Sequence, residues 1–192
     1  MSAETSTDPQ AGVSLGAGVV ATDTPRVTLA SDDPAVVSLG VLSEPTFVDV
    51  TLTLDTSAYT AGDVLAATQV VSNAVPVADG VTILQSIALT DINDQGAAFD
   101  LHFFSANQSL GAENGAPDID DTEVLDYLGT VAIGTADWID LGGAKVACIK
   151  NIGLTVKAAS GTRDIYVGAV NGAGTPTYTA SGLKLRLGFL PS

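Results

Sequence analysis

The sequence predicts an all-β domain: an antiparallel β-sandwich of jelly-roll type, spanning residues 46–192, with an extended N-terminal arm over residues 1–45 and one short helix. Three observations carry that expectation. Short apolar runs alternate with polar residues at a period of two, the pattern of strands that bury one face. Turn-forming Gly, Asn, Asp and Pro recur between them at a spacing of about 8–12 residues, which suits many short strands packed as a sandwich. The regularly alternating helices that a parallel α/β fold needs are missing.

The chain opens with Met1–Gln10, rich in Ser, Thr, Glu, Asp and Pro, a composition expected not to bury enough surface to order itself. Residues 11–45 are apolar snippets cut by breakers, GVSLGAGVV, TDTPRVTLASDDP and AVVSLGVLSEP, with Val-Ser-Leu-Gly occurring twice. They read either as an arm that pairs with another surface or as an edge strand folded back on its own domain. The arm reading makes Val13, Leu15, Val19, Arg26, Val27, Leu29, Val36, Leu39 and Leu42 the candidate contacts to that other surface. Phe47–Leu54 then alternates cleanly, Val48, Val50, Leu52 and Leu54 against Asp49, Thr51 and Thr53, and Val64–Val71 is a second strand.

Val81–Asn107 reads as two strands joined by the polar turn Asp91-Ile-Asn-Asp-Gln-Gly96, a central hairpin. Ile83, Ile87, Leu89, Phe99, Leu101 and Phe103 share its buried parity, interrupted at Gln85. After a polar loop, Asp118–Leu128 is the helical candidate: Asp118 as cap, Asp120, Asp121 and Glu123 at the positive end, Gly129 as stop. Strands follow at Thr130–Ile133, Trp138–Leu141, Lys145–Lys150, Leu154–Ala158, Asp164–Val170 and Leu183–Leu190. In the last, Leu183, Leu185 and Leu187 face one way, Lys184 and Arg186 the other.

Charge narrows the function classes. Twenty-two acids stand against seven bases, a net of −15, and the imbalance is uneven. Residues 1–100 hold thirteen acids and a single base, Arg26; residues 145–192 hold six bases and only Asp164. So acidic a surface repels phosphate backbones, which argues against nucleic acid, while the two halves can meet electrostatically within a subunit or between neighbours. No apolar run approaches a membrane span, and the first residues lack the basic and apolar blocks of a signal peptide, so manufacture in a cytoplasm is expected. The lone Cys148 excludes an intrachain disulfide, and its apolar neighbours place it in the core.

No catalytic constellation is legible. His102 is the sole histidine and lies mid-strand, with no Gly-x-Ser-x-Gly elbow to supply a nucleophile. Asp91-x-Asn93-x-Gln95-Gly96 matches the opening of a calcium loop, but the twelfth position is His102 instead of a bidentate Glu. Asp118, Asp120, Asp121 and Glu123 are a better oxygen cluster, yet acids gather at helix starts for electrostatic reasons alone. The glycines near Gly142 and Gly168–Gly174 have the wrong context for a phosphate loop or a dinucleotide turn. No cofactor and no metal is expected.

From about Pro45 to Leu190 the chain resembles the head decoration, or cement, proteins of tailed bacteriophages. The likeness is carried by DTSAYTAGDVLAATQVV (Asp55–Val71), Leu84–Asn107 with its DINDQGAA turn, Leu128–Val131, Trp138–Gly142, and above all NIGLTVKAASGTRDIYVGAV and TPTYTASGLKLRLGFL within Asn151–Leu190. The resemblance implies a β-sandwich that assembles, commonly as a homotrimer. It implies a place on the outer surface of the virion, at junctions between major capsid subunits, where the protein stabilises the shell. A non-catalytic alternative is a receptor- or glycan-binding β-module of a phage tail or fibre, which expects Trp138, Tyr59, Tyr127, Tyr166 and Tyr178 to form an exposed cluster. A hydrolase requires the acids of Asp118–Asp126 to converge with His102 in a cleft.

Overall fold

The computed structural model describes residues 45–191. Residues 1–44 of the expected arm, with all nine candidate contacts from Val13 to Leu42, lie outside the described residues. Among the described residues, nine strands carry the fold: β1 (Thr46–Thr51), β2 (Val64–Val71), β3 (Val81–Asp91), β4 (Phe99–Phe104), β5 (Tyr127–Ile133), β6 (Trp138–Asp140), β7 (Lys145–Lys157), β8 (Ile165–Asn171) and β9 (Leu183–Pro191). They form two antiparallel sheets, ordered β1-β9-β3-β7-β6 and β2-β8-β4-β5. The first half of the chain pairs with the second in reverse order, β1 with β9, β2 with β8, β3 with β7 and β4 with β5. A long antiparallel ribbon rolled so that successive strand pairs fall in alternate sheets is a jelly roll, with β6 added as a short hairpin partner of β7.

Strand alternation makes the core. Val50, Leu84, Ile87, Leu89, Ala147, Val156, Leu185, Leu187 and Phe189 from one sheet meet Leu65, Phe99, Leu101, Phe103, Val131, Ile133, Ile165, Val167 and Ala169 from the other. Burying one such side chain contributes about 1.5–3 kcal/mol, so this layer supplies most of the drive to fold. Tyr59 and Tyr178 close one end, their rings 6.4 Å apart. A second, smaller cluster lies on the opposite face of the four-stranded sheet. There the long β4–β5 loop folds back and packs Leu110 and Ile119 on Val64, Phe104, Tyr166 and Val170. The loop is tied to β2 by Val64 N–H donating to Gly115 O (2.7 Å) and Asn114 N–H donating to Val64 O (2.9 Å).

Five expectations change. Val81–Asn107 is not a hairpin: β3 and β4 belong to different sheets, and the Asp91–Gly96 turn carries the chain between them. Two long apolar faces of equal pattern cannot reveal whether they lie side by side or face to face. Gln85 marks a register shift between Leu84 and Ser86 against both neighbouring strands. Parity flips there, so Thr82 and Leu84 are buried before it and Ile87, Leu89 and Asp91 after it, while Ile83 is not on the buried face. Opposite the shift, Asn151 and Gly153 take positive φ (59° and 69°), which keeps Lys145–Lys157 one strand where two were expected.

The helical segment reduces to a single 3-10 turn at Glu123–Asp126, inside the predicted Asp118–Leu128. Asp120, not Asp118, organises its start, accepting from the N–H groups of Thr122 (2.7 Å) and Glu123 (2.8 Å), while Glu123 accepts from the Asp120 N–H. The apolar trio Val124, Leu125 and Leu128 is too short to bury a helix face, so the chain passes directly into β5. Cys148 is exposed. Its neighbour Ala147 takes the inward position, and alternation sends the thiol to the outer face.

Candidate functional site

The residues singled out by chemistry are scattered by the fold. Asp91, fully buried, spends its carboxylate on its own turn: Oδ1 accepts from Asn93 N–H (2.9 Å) and Oδ2 from Gly96 N–H (2.8 Å). Asn93 Oδ1 in turn accepts from the N–H and hydroxyl of Thr179 (both 3.0 Å), and Gln95 Nε2 donates to Asn93 O. The calcium-like spacing is therefore a turn that locks the inter-sheet crossing to the β8–β9 loop. Among the described residues, no three His, Cys, Asp or Glu side chains are grouped as a metal cage would require.

His102 projects from the outer face of β4. Its Nδ1 lies 3.2 Å from the Tyr127 hydroxyl and 3.0 Å from Thr130 Oγ1, and those two hydroxyls also hydrogen-bond each other. Burial holds the imidazole below its ordinary 6.5, with the Asp100 carboxylate opposing the shift. Beside it opens a depression of about 430 Å³, lined by Asp100, His102 and Tyr127 on one side and by Phe104, Ile119 and Val170 among its apolar residues. Chemically this is an apolar seat with a neutral imidazole and a phenol at the rim. It can hold an apolar group and offer one or two hydrogen bonds to a polar atom beside that group.

The hydrogen bonds of two acids expected to converge on His102 go elsewhere. Asp126 accepts from Ser105 Oγ (3.0 Å) and the Gln108 amide, and Asp120 from its own backbone, so neither carboxylate is hydrogen-bonded to His102. The backbone N–H groups of Glu123 and Thr122 hold the Asp120 carboxyl below its ordinary value, the charge being used where it stands.

The aromatic residues do not form an exposed platform either. Tyr59 and Tyr178 are core residues, and burial pushes the Tyr59 phenol up to about 12 and the Tyr178 phenol higher still. Trp138 packs on Phe99 and donates from Nε1 to Ala97 O (2.9 Å), fastening β6 to the inter-sheet turn. Tyr127 leans on Phe104 and His102.

The residues that sequence reasoning did not single out lie on the outer face of the five-stranded sheet. Phe47 is 68% exposed and rests over Gly188, where an added Cβ would come within 3.1 Å of its ring. Across the same face, Arg186 grips Asp49 with Nε and Nη2 (2.7 and 2.9 Å), which lowers the Asp49 carboxyl. Leu125 (79% exposed), Ile139 and Leu141 also stand in solvent. The signal was present in Lys184 and Arg186 alternating with buried leucines. What sequence could not supply was which strands lie beside them.

No protein-family profile matches the chain, and no characterised protein matches it in sequence. Solved structures do. A desmodium yellow mottle tymovirus chain is 14% identical over 94% of this chain and 94% of its own, with a TM-score of 0.27. A chain from the native virion of Kashmir bee virus is 10% identical over 90% of this chain and 82% of its own (TM-score 0.31). A chain from the heated full particle of Israeli acute paralysis virus is 9% identical over 90% and 83% (TM-score 0.30). At these identities and TM-scores no function follows from them; the jelly-roll assignment stands on strand order and register.

Proposed function

We propose that the protein is a tailed-phage decoration, or cement, protein that binds the outside of the icosahedral head at junctions between major capsid subunits and stabilises the shell. The observation that carries this reading is where the phage-like segments fall. Asp55–Val71, Leu84–Asn107, Leu128–Val131, Trp138–Gly142 and Asn151–Leu190 supply β2, most of β3, all of β4, the start of β5, β6, the end of β7, β8 and nearly all of β9. The likeness thus touches eight of the nine described strands, the edge strand β1 being the exception. The surface is compatible with assembly, since large apolar side chains such as Phe47, Leu125, Ile139 and Leu141 remain exposed on it.

In this reading the subunit forms a homotrimer, and the arm, Val13–Leu42, reaches the major capsid protein or an adjacent subunit. Each contact is modest, but cyclic symmetry repeats it, so the occupied trimer holds far more tightly than one arm would. The shell then opens only when these contacts break as well.

The test is co-sedimentation with undecorated phage heads, followed by heating of the decorated particles. The full chain should pellet with the heads and raise their rupture temperature. A chain lacking residues 1–45 should stay folded by circular dichroism and remain in the supernatant. Full occupancy by the truncated chain would overturn the role of the arm; failure of the full chain to pellet would overturn the cement reading.

A further inference from the structure

The described residues contain six bases, and four of them, Lys150, Lys157, Lys184 and Arg186, stand exposed on β7 and β9 with alternation sending them outward from the five-stranded sheet. The strand register assembles this face. Phe47, Gly188, Ser86 and Lys150 follow one another across four strands; Asp49, Arg186, Ala88 and Cys148 form the next row; Thr51, Lys184, Thr90 and Val146 the third. Arg186 is satisfied by Asp49. Among the described residues, no carboxylate lies within ion-pair distance of Lys150, Lys157 or Lys184, the other ion pair being Lys145 with Asp94. A depression of about 400 Å³ lies over Asp49, Thr51, Ala88, Thr90, Lys184 and Arg186. On a chain of net charge −15, three unpaired cations spread along one sheet face that also exposes a phenylalanine need a cause beyond solubility.

The complement is on the same molecule. The β4–β5 loop presents Asp118 and Asp121, exposed and without a cation partner among the described residues, next to Val124 and to Leu125, the most exposed of the large apolar side chains. A phosphate polymer is a poor occupant for the basic face, since the rest of this surface repels it. A second copy of this chain offers carboxylates and an apolar knob together.

We infer that the outer face of the five-stranded sheet is a self-assembly surface, which receives the acidic, leucine-tipped β4–β5 loop of a second copy. Two different patches meet, so the contact is heterologous and propagates head to tail until rotation closes it into a ring. This deepens the trimer reading of the preceding subsection by naming both sides of the joint.

Charge exchange tests it. The first variant is Lys150→Glu/Lys184→Glu, which takes the net charge from −15 to −19; the second is Asp118→Lys/Asp121→Lys, which takes it to −11. The third carries all four changes and returns it to −15. None of these side chains makes a hydrogen bond or ion pair within the described residues, so the variants should fold, checked by circular dichroism and thermal unfolding.

Self-association is read by sedimentation velocity over a concentration series at fixed salt. The wild type should form a discrete oligomer. Both two-site variants should dissociate at tenfold or higher concentration, and the four-site variant should return to near wild-type behaviour. The second variant is decisive, because general repulsion predicts tighter association at −11, whereas the complementary joint predicts weaker. A wild type that stays monomeric, two-site variants that assemble normally, or a four-site variant no better than either would overturn the inference. Head binding is scored separately: oligomers that ignore heads sink the cement reading and leave this joint standing, and the converse result does the opposite.

Discussion

Removing the carboxylate of Asp91 should unfasten the crossing between the two sheets. Asp91 is fully buried and accepts two backbone hydrogen bonds, from Asn93 (2.9 Å) and Gly96 (2.8 Å), in a turn that no regular ladder holds. A hydrogen bond to a charged acceptor contributes about 1.5–3 kcal/mol net. Two such bonds set a ceiling of about 3–6 kcal/mol. Asp91→Ala also relieves the cost of burying a carboxylate, and water can reach part of the freed turn, so a loss of about 3 kcal/mol is expected. Asp91→Asn keeps one acceptor and should lose about half of that. For a body of this size the alanine variant corresponds to a fall in Tm of about 6–12 °C. Urea unfolding of the full chain followed by Trp138 fluorescence reads the effect as a shifted midpoint with an unchanged slope, the mark of lost stability without altered compactness. Because the carboxylate serves the turn, calcium and a chelator should leave the wild-type midpoint where it is. A loss below about 0.5 kcal/mol, the level of an ordinary surface change, or a calcium-dependent midpoint, would refute the assignment.

Two further outcomes follow from other contacts. The His102 imidazole sits below its ordinary value in the folded state, so the unfolded chain takes up its proton first as pH falls. The neutral ring's contribution is complete above about 6.5 and is lost as pH drops from there through the lowered folded value; the melting temperature of wild type relative to His102→Asn should decline only in that window, and parallel profiles would contradict it. Gly129 has φ of +149°, and an added Cβ would lie 2.7 Å from Leu154 Cδ1. Gly129→Ala should cost about 1–3 kcal/mol, part of it recovered in combination with Leu154→Ala, and strict additivity in that cycle would exclude the contact as a cause.

The strands were legible wherever one face is wet. Val64–Val71 has the expected bounds, and the leucines of β9 point inward with Lys184 and Arg186 outward. Partnership was not legible, because strand pairing is decided by distant residues. The pattern of Val81–Asn107 fits a hairpin as well as two facing sheets, and only the completed register of β7, β8 and β9 selects between them. Gln85 announced itself as an interruption, though not as the bulge that shifts Ile83 off the buried face. Cys148 was misplaced by composition, since apolar neighbours on both sides say nothing about parity. The basic face illustrates the same limit at the level of the site: Lys150 and Lys184 are 34 positions apart in the chain, and only strand β3, paired with both of their strands, brings them onto one face.

The pairing of β1 with β9 also fixes how the body answers force. Thr46 stands opposite Phe189, so the chain enters and leaves the roll side by side at one end of the same ladder. Tension between those two points would load the ladder one rung at a time and peel the edge strand away, whereas tension along a strand would strain all its rungs together. A body tethered only through this corner would be a weak link, and contacts spread over a sheet face would carry load in the stronger direction.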